Sequence, residues 1–113
     1  MINTPEELQH KLVELYPSLE KELEEEDGFD YGYKPEITYH HVWMAFTIIA
    51  NECLTGSDIK TLKKFCYIVN YMVGEGGDKE NSVSTCLLEH ASQIGIIKII
   101  KPYLVSGAKN ELC

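Results

Sequence analysis

The stretch from Ile37 to Leu54 constrains the fold most. Val42, Trp43, Ala45, Phe46, Ile49, Ala50, Cys53 and Leu54 recur through it and leave little polar face at helical spacing. A helix that is apolar nearly all round needs cover on several sides, so this segment predicts a central helix with others packed around it. Thr55-Gly56 ends it, and Gly56 suits a left-handed cap.

The flanking segments carry narrower stripes. Thr4-Pro5-Glu6-Glu7 is a helix start: Thr4 caps, Pro5 fits the first helical position and Glu7 completes a capping box. Leu8, Leu12, Leu15, Leu19 and Leu23 follow at helical spacing, and Pro17 divides them into helices over about 5–16 and 17–26. Asp27-Gly28 ends the second, and residues 28–36 form a loop rich in Gly and Tyr. Ser57-Asp58 starts a fourth helix with Ile59, Leu62, Phe65, Cys66, Val69, Met72 and Val73 on its stripe and Lys60, Lys63 and Lys64 outside it. Gly74-Glu75-Gly76-Gly77 breaks it. Asp78 is placed to cap a fifth helix that buries Val83, Leu87, Leu88, Ala91 and Ile94 and stops at Gly95. A sixth runs from Ile96 to about Val105, kinked or divided at Pro102, and exposed isoleucines on it offer a dimer face.

Ile96 to Ile100 also suits a strand, but Gly95 before it and the three-residue spacing of Lys98 and Lys101 favour helix. The chain therefore reads as all-α, one domain over residues 1–113 with about six helices packed as antiparallel hairpins. Helix pairs of this length also occur in HEAT-like arrays, although no repeat is visible. The short final turn, 106–113, is open to fraying.

With 44% apolar and 25% charged residues, the chain has an ordinary globular composition. Its first seven residues lack a basic start and an apolar core, so no leader is expected, and the longest nearly apolar run, Val42 to Ala50, is about half a membrane span. These features predict a cytoplasmic protein with Cys53, Cys66, Cys86 and Cys113 as reduced thiols. All ten basic residues are lysines, and the net charge is −8. Without arginine, direct nucleic-acid binding and adhesion to anionic membranes are disfavoured.

Candidate chemical groupings yield to plainer readings. Adjacent residues on a helix point about 100° apart, so His40 and His41 cannot address one metal from one face. Cys86 and His90 are four apart and share a helix face, half of a possible zinc site; a buried cysteine beside a rim histidine is the commoner arrangement. Gly74 to Asp78 lacks the Gly-Lys-Ser/Thr of a phosphate loop. No catalytic, cofactor-binding or metal-binding residue is assigned, and no cofactor is expected.

The charge is concentrated in Glu20 to Glu36, where eight acids face two lysines for a net of −6. A charge run is often just a solvated helix face. This one passes directly into Tyr31 and Tyr33, and tyrosine is enriched at binding hot spots. The succession Leu15-Tyr16-Pro17-Ser18-Leu19, acidic helix, aromatic loop and apolar helix, with Leu87-Leu88-Glu89-His90 and Tyr103-Leu104 later, resembles small bacterial helical proteins of polymorphic-toxin systems. The likeness spans roughly Leu8 to Leu104. It implies an immunity protein, including the CdiI type of contact-dependent growth inhibition, that blocks a cognate toxin domain, commonly a nuclease. The charge pattern assigns toxin binding to Glu22, Glu25, Glu26, Asp27, Asp30, Tyr31, Tyr33 and Glu36. The oligomeric state stays open, with a monomer favoured. Two other classes remain open: a helical adaptor or regulatory subunit, and a small enzyme using His40, His41 or His90.

Overall fold

Side-chain caps start three of the four helices that carry the fold. The computed structural model describes residues 2–27 and 37–112, with the backbone alone for 25–27. In α1 (Pro5–Leu15), Thr4 Oγ1 accepts from the Glu7 amide at 3.2 Å and donates to Glu7 Oε1 at 3.3 Å. The expected capping box is therefore modified: the carboxylate takes the threonine hydroxyl rather than reaching the cap's own amide. In α3 (Tyr39–Thr55), Thr38 accepts from the His41 amide at 3.0 Å, and in α4 (Ile59–Glu75), Asp58 accepts from the Thr61 amide at 2.7 Å. That bond to Thr61 holds the Asp58 carboxyl below its usual range.

Between α1 and α2 (Leu19–Asp27) the chain turns at Tyr16-Pro17-Ser18, where proline cannot continue the first helix. The Leu19 amide reaches back to the Tyr16 carbonyl at 3.0 Å. Tyr16 itself is buried, and its hydroxyl lies 2.6 Å from Ser57 Oγ. Ser57 donates its own proton to the Cys53 carbonyl at 2.8 Å, so the tyrosine is the donor in the first bond. One hydroxyl pair thus ties the α1–α2 turn to the α3–α4 turn. Burial pushes the Tyr16 phenol up, the serine bond opposing it.

As the apolar pattern predicts, α3 is central. Val42, Trp43, Ala45, Phe46, Ala50 and Leu54 are buried, and α1, α2 and α5 (Gly77–Cys86) all pack against it. Tyr16, Trp43, Phe46 and Phe65 form one aromatic cluster; Phe46 and Phe65 stack at 5.1 Å, and Trp43 stands edge-on to Phe65 at 6.1 Å. Such pairs add about 0.5–1.5 kcal/mol beyond their burial. The cover of α3 is incomplete: Met44 and Ile48, one turn apart, are 55% and 61% exposed.

Beyond Cys86 the structure departs from the expected pair of long helices. The fifth helix ends at Cys86, a single 3-10 turn spans Leu88–His90, and α6 (Ile97–Ile100) and α7 (Ser106–Lys109) have four residues each, separated by a 3-10 turn at Lys101–Tyr103. Long-range side-chain bonds take over from the helix ladder here. Thr47 Oγ1 lies 2.7 Å from the Trp43 carbonyl and 2.8 Å from the Cys86 carbonyl, holding the end of α5 against α3. Asn51 Nδ2 donates to the Ile94 carbonyl at 2.8 Å. Asn70 does both, donating to the Tyr103 carbonyl at 3.1 Å and accepting from the Val105 amide at 3.0 Å. Gly95 is required where it stands, with φ +72° and only 3.0 Å between an added Cβ and Asn51 Nδ2.

Three finer expectations are corrected. Gly56 has φ −84°, so it caps α3 in the right-handed region. Asp78 lies in the first turn of α5 while Gly76, at φ 71°, occupies the cap. Ile96 and Ile100 are buried and Ile97 and Ile99 half-buried, because the short α6 turns its isoleucines into the core rather than toward a partner. Ala108 is fully buried, which docks the final helix on α4. The described residues contain seven α-helices and no strand, and the radius of gyration of 13.4 Å matches about 13 Å for a folded chain near this length.

Candidate functional site

The acidic helix is held by two leucines. Leu19 and Leu23 are buried on α2, which packs chiefly against α3, while Glu20, Lys21 and Glu24 are exposed and Glu22 is half-buried. Two glutamates, Glu20 and Glu22, stand in the first turn, where the helix dipole favours them. Glu25, Glu26 and Asp27 belong to the last turn, at the negative end, and that turn has no basic residue. Acids there are disfavoured by the helix dipole. Their side chains lie outside the described residues, as do Asp30, Tyr31, Tyr33 and Glu36.

A second surface has no counterpart in the sequence reading. A groove of about 430 Å³ lies between α1 and α4. Its base is apolar, from Ile2, Leu15 and Ile68, with Tyr67 and Tyr71 along one side and Lys11, Glu14 and Lys64 at the rim. Tyr67 is 71% exposed. Tyr71 is fixed: its hydroxyl donates toward the Ile2 carbonyl at 3.4 Å and Glu75 Oε1 at 3.2 Å, and Lys79 Nζ sits 5.5 Å from its ring centroid. Lys79 also bonds Glu75 at 3.2 Å, which lowers the Glu75 carboxyl below its usual range, and Tyr71 adds to that. The pattern of α4 conceals this groove because Tyr67 falls outside the core stripe, and the groove exists only where α1 crosses it.

Among the described residues the histidines and cysteines form no cluster suited to a metal. His40 Nε2 is 3.3 Å from Asn81 Nδ2, and His90 Nδ1 is 3.0 Å from Gln93 Oε1. Since α5 stops at Cys86, that residue and His90 share no helix face, and the Cys86 thiol turns instead to the His40 carbonyl at 3.7 Å. Burial raises the Cys86 thiol, and it pushes Cys66 up to about 12. The described residues contain no group of three or more His, Cys, Asp or Glu arranged to hold a metal, and no helix among them is long and apolar enough to cross a membrane.

Near the C-terminus Glu80 on α5 lies beside Glu111, whose charge and hydrogen bond hold the Glu80 carboxyl above its ordinary value. Comparison with protein families, curated proteins and solved structures returns no match.

Proposed function

We propose that the protein is an immunity protein: a cytoplasmic inhibitor that binds a basic toxin domain, an RNA- or DNA-cleaving nuclease, through α2 and the residues that follow it. One observation carries this reading, the concentration of net −6 charge into Glu20 to Glu36 within a chain of net −8. The arrangement of α2 supports it, since buried Leu19 and Leu23 leave Glu20 and Glu24 facing solvent. A nuclease holds phosphate in a basic cleft, and a concentrated acidic surface fills such a cleft and is steered to it quickly. Glu22, Glu25, Glu26, Asp27, Asp30 and Glu36 supply the field, and Tyr31 and Tyr33 supply contact area.

The test is coexpression with the product of the adjacent gene, scored for growth rescue and complex formation. Lysine at Glu25, Glu26 and Asp30 together should slow association and flatten its salt dependence, with dissociation less affected. If that triple variant protects as well as the parent, the interface is not this face, and Glu75, Asp78 and Glu80 become the next acids to replace.

A second reading, a helical adaptor in an ordinary cytoplasmic complex, draws on the α1–α4 groove, which offers an apolar contact surface apart from the acidic helix. Copurification with a housekeeping enzyme, rather than with a neighbouring toxin fragment, would favour it.

A further inference from the structure

We propose that Met44 and Ile48, on the solvent face of α3, are the apolar contact point for a basic protein surface, which places one apolar side chain between them and sets its lysines or arginines against the acids on either side. The inference rests on the reading of α2 as facing a basic partner, and adds where that partner makes close contact.

The gap in the cover of α3 is bounded on both sides. A helix turns by about 100° per residue, so Met44, Ile48 and Glu52 fall in the arc that runs from Asn51 round to Cys53. At one limit Asn51 Nδ2 donates to the Ile94 carbonyl at 2.8 Å; at the other Cys53 Sγ lies 3.6 Å from Ser18 Oγ, at the turn into α2. On the opposite arc Trp43, Phe46, Ala50 and Leu54 are buried. The open arc is where charged side chains on α3 could reach water, yet it holds a methionine and an isoleucine that are 55% and 61% exposed. Methionine adapts to the shape of an incoming side chain, and isoleucine sets a stiff branched one beside it.

Charge on the bordering elements selects the occupant. Together α2, α3 and residues 81–97 present Glu20, Glu24, Glu52 and Glu89 as exposed acids, with Glu22 half-buried. Against these stand one lysine, Lys21, which lies between Glu20 and Glu22 in sequence, and three histidines, His40, His41 and His90. The other lysines among the described residues sit on α1, on α4, at the start of α5 and beyond Ile97. The net charge of −8 acts in the same direction as the local acids, so a basic surface is drawn both by the face and by the whole chain. A nucleic acid, an anionic membrane or an acidic segment is repelled by both. A second copy docked face to face would set these acids against their own counterparts. An apolar centre within a charged surround divides the work of binding: the centre excludes water and holds the partner, and the charges steer it.

The test is a titration of the full, isotope-labelled chain followed by amide chemical shifts, using a nine-residue peptide of lysines around a central leucine. Shifts should gather at Met44, Ile48, Asn51 and Glu52. Serine in place of the leucine should weaken binding about tenfold, as should Met44→Gln with Ile48→Gln in the protein. Glu20→Lys with Glu24→Lys should weaken it too and reduce its salt dependence. Lys64→Ala, on α4, should leave it unchanged. The serine comparison uses the parent chain, so it stands whatever the variants do to folding. If the serine-centred peptide binds as tightly, this inference is overturned; shifts at Glu20 and Glu24 then leave the charge reading of α2 standing. If a peptide of glutamates around leucine binds as tightly, or if millimolar lysine peptide leaves α2 and α3 undisturbed, both fall. Concentration-dependent shifts at Met44 and Ile48 without peptide would replace the basic partner with a second copy of the chain.

Discussion

The chain up to Glu75 and the chain beyond it are stabilised in different ways. In the first region the helices are long, three of them are started by a side-chain cap, and apolar stripes meet around Trp43, Phe46 and Phe65. In the second, no helix start is capped by a side chain, α6 and α7 have four residues each, and order comes from Thr47, Asn51 and Asn70 reaching across from α3 and α4. One region is organised by instructions local to each helix. The other takes its shape from polar side chains that lie 33 to 43 positions away in sequence.

The sharpest attempt to break this contrast is Phe65→Ala. It opens a cavity in the aromatic cluster and should cost about 3–5 kcal/mol, read from urea unfolding, which is a large share of a typical domain stability of about 5–15 kcal/mol. Both regions should unfold together, because the second is built on α3 and α4. Asn70→Ala is the converse. It strips partners from the Tyr103 carbonyl and the Val105 amide and should cost about 2 kcal/mol. Amide exchange should accelerate across Tyr103 to Lys109 while α1 and α3 stay protected. Equal acceleration throughout would show that the two regions are not separable.

Gly95→Ala imposes a left-handed conformation on a residue with a Cβ, and that Cβ also meets Asn51 Nδ2; a loss of about 1–2 kcal/mol is expected in thermal unfolding. The smallest effect belongs to Glu80. Its carboxyl is raised in the folded chain, first by the Glu111 charge, so the folded state binds more protons than the unfolded one above the ordinary value of 4.5. Stability from this group is present below that pH and lost as pH rises through the folded value. Glu80→Gln should therefore flatten the decline in melting temperature just above pH 4.5, leaving the acid side unchanged.

The same contrast explains what could be read from the sequence. The starts at Thr4 and Asp58, the break at Pro17 and the central place of Ile37 to Leu54 were legible, since each depends on residues within one turn of one another. The stop at Cys86 was not, because Leu87, Leu88 and Ala91 continue an apolar stripe and only the tie from Thr47 shows where α5 ends. The acidic face of α2 was visible as composition, and the burial of Leu19 and Leu23 agrees with their spacing. The lysine-rimmed groove was not visible, since it depends on α1 and α4 crossing.

Cys66 carries a consequence of its own. Its thiol is buried on α4, 3.8 Å from the Ile100 carbonyl, and its acidity is suppressed to about 12. Only a thiolate attacks an alkylating reagent, so this sulfur is chemically silent while it stays buried. An opening that lets water reach the sulfur restores the reactivity of an ordinary thiol. The rate at which Cys66 is labelled is therefore a clock for that opening, with the half-buried Cys53 as a reference hand on the same molecule.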